Sequence, residues 1–137
     1  IRPAGYYNIK AKRLKNLITF IYETYDRDLD NLFKEDTISL RRGLLSVNGI
    51  GPETADSILL YAAQRPVFVI DAYTHRILSR HQRCDEVTDY YALQDLFAAH
   101  LPEDILLFNE FHALLVRTGK DFCRKDPRCE KCPLKEW

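Results

Sequence analysis

The sequence contains no methionine, no charged-then-apolar leader, and no unbroken apolar run approaching the roughly 18 residues that a membrane-crossing helix requires. The first absence, with a chain that opens on Ile1, leads to the expectation that these 137 residues are a trimmed part of a longer polypeptide. The other two exclude an integral membrane protein and argue against a secretory signal. Cysteine is also sparse: the chain has four, too thinly spread over most of its length for the disulfide framework of a small secreted domain. Net charge is missing too, because 20 Lys and Arg balance 20 Asp and Glu. Spread evenly, that balance would argue against a polyanionic partner. It is not even. Residues 1–16 carry five basic side chains (Arg2, Lys10, Lys12, Arg13, Lys15) and no acid, and residues 117–137 carry seven basic against four acidic. The stretch between them holds eight basic and sixteen acidic residues, a net of −8 between two positive ends. Such ends suit a polyanion, or are simply solvated termini.

What is present is apolar content of 46%, enough for a real core in one domain, or one with a small appendage. Its spacing is helical nearly throughout. After Pro3 and Gly5, with Asn8 as the expected N-cap, Leu14, Leu17, Ile18, Ile21, Tyr22 and Tyr25 recur every three or four residues. An acidic connector over 26–32 leads to a segment carrying Leu40, Leu44 and Leu45. Gly49-Ile50-Gly51-Pro52 breaks the chain, and Pro52 suits the first turn of a helix expected to bury Ala55, Ile58, Leu59, Ala62 and Ala63. Residues 66–70 form a short apolar run with no second strand to pair with, read as a buried linker that ends at Asp71, the cap of a helix to about Arg80. Thr88 or Asp89 starts a helix stopped at Pro102. A last long helix from about Glu103 to Gly119 is expected to bury Leu107, Phe111, Leu114 and Leu115. The fold class is all-α, without repeats.

Three features carry chemistry. In the turn Val47-Asn48-Gly49-Ile50-Gly51-Pro52 the glycines permit positive φ and leave N–H groups unshielded. The turn could therefore cradle a phosphate, with Arg41 and Arg42 nearby and Ile50 as a plug. An ordinary tight turn between helices explains it equally. Asp71 is locally an N-cap worth about 1 kcal/mol; facing a cleft, it could orient water or stabilise the charge on a sugar whose glycosidic bond is breaking. Cys123-x5-Cys129-x2-Cys132 has metal-ligand spacing, open to zinc and to an iron–sulfur cluster, with a fourth thiolate expected and Cys84 expected to be a free thiol.

Together these residues resemble the endonuclease III superfamily of DNA glycosylases. The similarity runs from Gly5-Tyr6-Tyr7-Asn8 through the hairpin, Thr54-Ala55-Asp56, Pro66 to Asp71, and Arg76 to the cysteine tail. It implies a helix–hairpin–helix glycosylase fold, partial and without its N-terminal helices, divided as 1–66 and 67–137, with a terminal cluster loop. It implies that Asn48, Gly49, Ile50 and Gly51 hold the DNA backbone, that Asp71 is the catalytic carboxylate, and that Cys123, Cys129 and Cys132 ligate a [4Fe–4S] cluster, with zinc as the alternative. Members that cleave the strand carry a lysine two residues after the hairpin's second glycine. Here that residue is Glu53, which cannot form an imine, so a monofunctional enzyme is expected. Glu53 with Asp71-Ala72-Tyr73 looks like the 3-methyladenine glycosylase branch, in which Glu53 and Tyr73 would line a pocket for a cationic alkylated purine. The expected partner is double-stranded DNA with a damaged base, bound by a cytoplasmic monomer without membrane contact. Excision of a mismatched or oxidised base, and a non-catalytic DNA-binding module with a structural metal, remain the alternatives.

Overall fold

The structure is a computed structural model that describes residues 5–137; Arg2 and Pro3, noted above, lie outside the described residues. No strand occurs among the described residues, and no helix there is long and apolar enough to cross a membrane. The chain divides into two compact units, Ile1–Leu59 and Leu60–Trp137.

In the first unit, α1 spans Tyr7–Thr24, α2 Leu29–Lys34, α3 Thr37–Ser46 and α4 Pro52–Ser57. Two expectations are corrected here. α1 is preceded by Tyr6 in the left-handed region, so Asn8 lies inside the helix rather than capping it. The acidic connector is largely a helix: Asp28 accepts a hydrogen bond from the Asp30 amide, and α2 buries Leu32. Asp36 caps α3 by accepting from the Ile38 and Ser39 amides; the Ser39 hydroxyl first, then these amides, hold its carboxyl below the usual range. Leu40 and Leu44 on α3 are fully buried. α1 contains no buried residue: Leu14, Ile18 and Tyr22 are each about half exposed.

The second unit begins within a π-helical turn, Ile58–Ala62, that continues from α4. Such a turn adds a residue per turn and rotates the helix face. Leu59 and Leu60 are therefore buried, whereas Ala62, expected on the inner face, is exposed. Residues 66–70 form neither helix nor strand, and Phe68, Val69 and Ile70 are buried. Such a segment must satisfy its backbone elsewhere. Gln94 Nε2 donates to the Phe68 carbonyl at 2.7 Å, and the Ile70 amide donates to Tyr90 Oη at 3.4 Å.

Three helices follow: α5 Ala72–Arg80, α6 Tyr90–His100 and α7 Ile105–Asp121. Each is capped by an aspartate side chain, Asp71, Asp89 and Asp104. Phe68 stacks on Phe97 and meets Phe108 and Phe111 edge-on, the centre of a core that also holds Val69, Ile70, Ile77, Leu78, Leu93 and Leu115. On α7 the buried residues are Phe108, His112, Leu115, Thr118 and Gly119; Leu107 and Phe111 are half-buried and Leu114 is exposed, so the inner face is rotated from the one expected. α5 crosses α7 where Tyr73 lies over Gly119; a Cβ there would sit 2.5 Å from Tyr73 Cδ1.

Candidate active site

The first candidate element is the turn between α3 and α4. Gly49 has φ 95°, and a Cβ on it would lie 2.3 Å from Arg13 Cγ, so conformation and crowding both demand glycine. Asn16 Nδ2 donates to the Asn48 carbonyl at 2.8 Å, which ties the turn to α1. Ile50 is buried, as a plug should be. Gly51 departs from expectation, with φ −99° and nothing within 4 Å of an added Cβ. Its backbone needs no glycine, but its surface leaves room for close approach. Glu53 is exposed in the first turn of α4.

Arg41 was expected to reach a phosphate. Its guanidinium instead grips Asp56 on α4 with a fork of two bonds, Nε to Oδ1 at 2.6 Å and Nη2 to Oδ2 at 2.8 Å. Asp56 is completely buried, so a cation is needed to hold it there. Thr54-Ala55-Asp56 thus takes part in bracing the two helices that flank the turn.

The second element is the head of α5. Asp71 Oδ1 accepts a hydrogen bond from the Thr74 amide at 2.7 Å, the helix cap. Oδ2 faces His112 Nε2 on α7 at 3.6 Å. Only 9% of the Asp71 side chain is exposed. Burial by itself raises a carboxyl pKa, but the facing imidazole of His112 and the bond from Thr74 outweigh it, and Asp71 is held below the usual carboxylate range. The far side of the imidazole, Nδ1, is hydrogen-bonded to Tyr61 Oη at 2.5 Å. Neither Tyr61 nor His112 stood out in the sequence. The available signal was a lone histidine on the apolar stripe of α7, between Phe108 and Leu115.

Tyr73, the other expected pocket residue, packs across Gly119 with the Arg76 guanidinium 5.1 Å from its ring centre. Any contact with a base would use the ring surface left over from that packing.

The third element is the cysteine loop. Cys123, Cys129 and Cys132 line one cavity of about 150 Å³ together with Arg80 and His81. α5 holds this loop: Arg76 donates to the Cys123 and Gly119 carbonyls, and Arg80 donates to the Arg124 carbonyl and approaches Cys123 Sγ at 3.5 Å. The donor set, three soft sulfur ligands beside a cation, fits a thiolate-bound metal in kind. Among the described residues no three His, Cys, Asp or Glu side chains converge as a metal site. Cys84 is a free thiol half-buried against the core, and burial, then Asp85, push its pKa up.

A glycine turn joins two helices of the first unit, and a nearly buried carboxylate heads a helix of the second. No protein-family model matches the chain. Among curated proteins it is 50% identical over 139 residues to a protein of Methanocaldococcus jannaschii named as a DNA repair glycosylase, covering all of this chain and 63% of that one. It is 32% identical to an endonuclease III of Sulfolobus acidocaldarius, again over its whole length and 59% of the relative. Among solved structures it resembles the H. pylori 3-methyladenine DNA glycosylase bound to 1,N6-ethenoadenine, with a TM-score of 0.73 and 33% identity over 87% of this chain and 59% of that one. By sequence and fold the chain is similar to DNA glycosylases of the endonuclease III type. It spans about three-fifths of the length of these relatives.

Proposed function

We propose that the chain is the hairpin-and-aspartate portion of a monofunctional DNA glycosylase that removes an alkylated purine by hydrolysing its N-glycosidic bond. The observation that carries this reading is the state of Asp71: a nearly buried carboxylate, held ionised, with only one oxygen used by its helix cap. As the glycosidic bond breaks, positive charge grows on the sugar. A fixed anion stabilises that charge without having to reorganise. At 4 Å and an effective dielectric constant near 20, the attraction is about 4 kcal/mol, roughly a thousandfold in rate. Asp71 also orients the attacking water.

In this reading the turn Asn48, Gly49, Ile50 and Gly51 takes the backbone of double-stranded DNA, with Gly51 admitting close approach of a phosphate. The free surface of Tyr73 faces the extruded base. Glu53 stands where strand-cleaving relatives carry lysine, so the product is an abasic site and not a cut strand. Cys123, Cys129 and Cys132 would hold a [4Fe–4S] cluster, or zinc, whose contribution when bound is to tie the terminal loop together. The enzyme works as a cytoplasmic monomer. The ethenoadenine in the H. pylori relative makes that base a reasonable first substrate, alongside 3-methyladenine.

The test is a panel of duplexes, each with one lesion, incubated with the full chain and assayed for released base. Release of alkylated purines with no borohydride-trapped adduct is expected. Release of only mismatched or oxidised pyrimidines would move the substrate class, and a trapped adduct would identify another lysine as nucleophile.

A further inference from the structure

We infer that Tyr61 and His112 form a positioning pair for Asp71, in which the phenol fixes the imidazole tautomer so that Nε2–H points at Asp71 Oδ2. The inference rests on the glycosylase reading only for its consequence in rate; the arrangement itself can be read without substrate.

Three observations carry it. His112 is 8% exposed, and its Nε2 is buried with no hydrogen-bond partner, yet it faces the carboxylate at 3.6 Å. An orphaned buried ring nitrogen costs free energy unless something repays it. Tyr61 Oη closes on the opposite nitrogen, Nδ1, at 2.5 Å, although Tyr61 is 44% exposed and could give its hydroxyl to water. Tyr61 sits in the π-helical turn Ile58–Ala62, and such turns are concentrated at functional sites because they re-aim a side chain at a local cost.

The proton arrangement follows from donor and acceptor chemistry. A phenol is protonated at neutral pH, and here burial, then the Asp71 charge, push its ionisation higher still. Asp71 Oδ2 can only accept, so we assign the proton to the ring nitrogen that faces it, and Nδ1 then accepts from Tyr61. The ring's own proton is then on Nε2, on the side of Asp71. At 3.6 Å this contact is longer than a hydrogen bond. Catalytic contacts are commonly long without ligand and tighten in the complex. With Oδ1 held by the Thr74 amide and Oδ2 steered by His112, the carboxylate plane is fixed from two elements, α5 and α7. In this arrangement His112 acts through Asp71.

The test has two arms. In the first, 15N NMR of the full chain labelled at histidine reads the tautomer of His112 without DNA. The Nε2–H form is expected, with Tyr61→Phe mixing the tautomers. In the second, single-turnover excision is measured with saturating DNA. His112→Ala is expected to lose about tenfold in rate and Tyr61→Phe about threefold, with DNA affinity unchanged, since each weakens a bond to a charged or polarised group. His112→Gln, which keeps an N–H donor, is expected to regain part of the loss, which a merely structural role would not produce. An Nδ1–H tautomer, or a Tyr61→Phe protein with unaltered spectrum and rate, would overturn the pair. If no lesion is excised but the tautomer responds to Tyr61→Phe, the pair stands and the substrate reading falls.

Discussion

The two compact units hold themselves together by different means. Leu60–Trp137 is built around aromatic packing, with Phe68 wedged among Phe97, Phe108 and Phe111, and Asp71 directly follows the buried run that carries Phe68. Ile1–Leu59 buries aliphatic side chains such as Leu32, Leu40 and Leu44, adds a polar clasp, Arg41 on Asp56, beside the glycine turn, and leaves the α1 residues Leu14, Ile18 and Tyr22 about half exposed. The difference teaches where exactness is needed. A group that must stabilise a transition state is best fixed by close packing. A turn that takes a backbone needs its two flanking helices held in register, and an ion pair supplies register better than it supplies stability.

The comparison is most easily broken at Phe68. Phe68→Ala removes the centre of the aromatic cluster and is expected to cost about 4 kcal/mol by chemical denaturation, with excision lost in parallel. Asp56→Ala, which strands Arg41, should cost about 3 kcal/mol. The double replacement Arg41→Met with Asp56→Leu should recover most of that stability yet still weaken DNA binding, if the clasp supplies register. Recovery of both would make the clasp ordinary packing. Gly49→Ala forces an alanine to φ 95° beneath Arg13 and is expected to cost about 2 kcal/mol. Gly51→Ala has open space and should leave stability within about 0.5 kcal/mol, while DNA affinity measured by fluorescence anisotropy falls.

How far this contrast could be read from sequence follows the range of each signal. The Pro52 helix start, the Asp71 and Asp89 caps and the buried run of 66–70 were legible because each is encoded within a few residues. α2 was missed because its acids suggested a solvated connector, although Asp28 caps it and Leu32 anchors it. The π-helical turn left no mark in the periodicity, so the face around Ala62 was misjudged. At the candidate site, Asp71 was visible as a cap at the end of an apolar run. Its companions were not, since Tyr61 and His112 are 51 residues apart and meet only through the tertiary fold. Arg41 looked available for a phosphate because nothing local announces that Asp56 will be buried.

A smaller effect separates Asp71 from an ordinary surface acid. Its folded pKa is depressed, so its contribution to stability is present above the unfolded value of about 3.9 and is lost as pH falls through the folded value. Acid denaturation of Asp71→Asn should therefore lack one component of the wild-type loss below about pH 4, and excision should show no Asp71-dependent acid limb above that pH. The smallest effect is expected on α1: Leu14→Ser or Ile18→Ser should change stability by less than about 0.5 kcal/mol, in contrast to Phe68.

The central claim is that Asp71 is the charge that drives bond breakage, and single-turnover excision of an alkylated purine from duplex DNA, wild type against Asp71→Asn at saturating protein, tests it most directly. A drop of roughly a thousandfold in the chemical step with unchanged DNA affinity is the predicted result. Equal rates in the two proteins would contradict it and leave Asp71 as a helix cap.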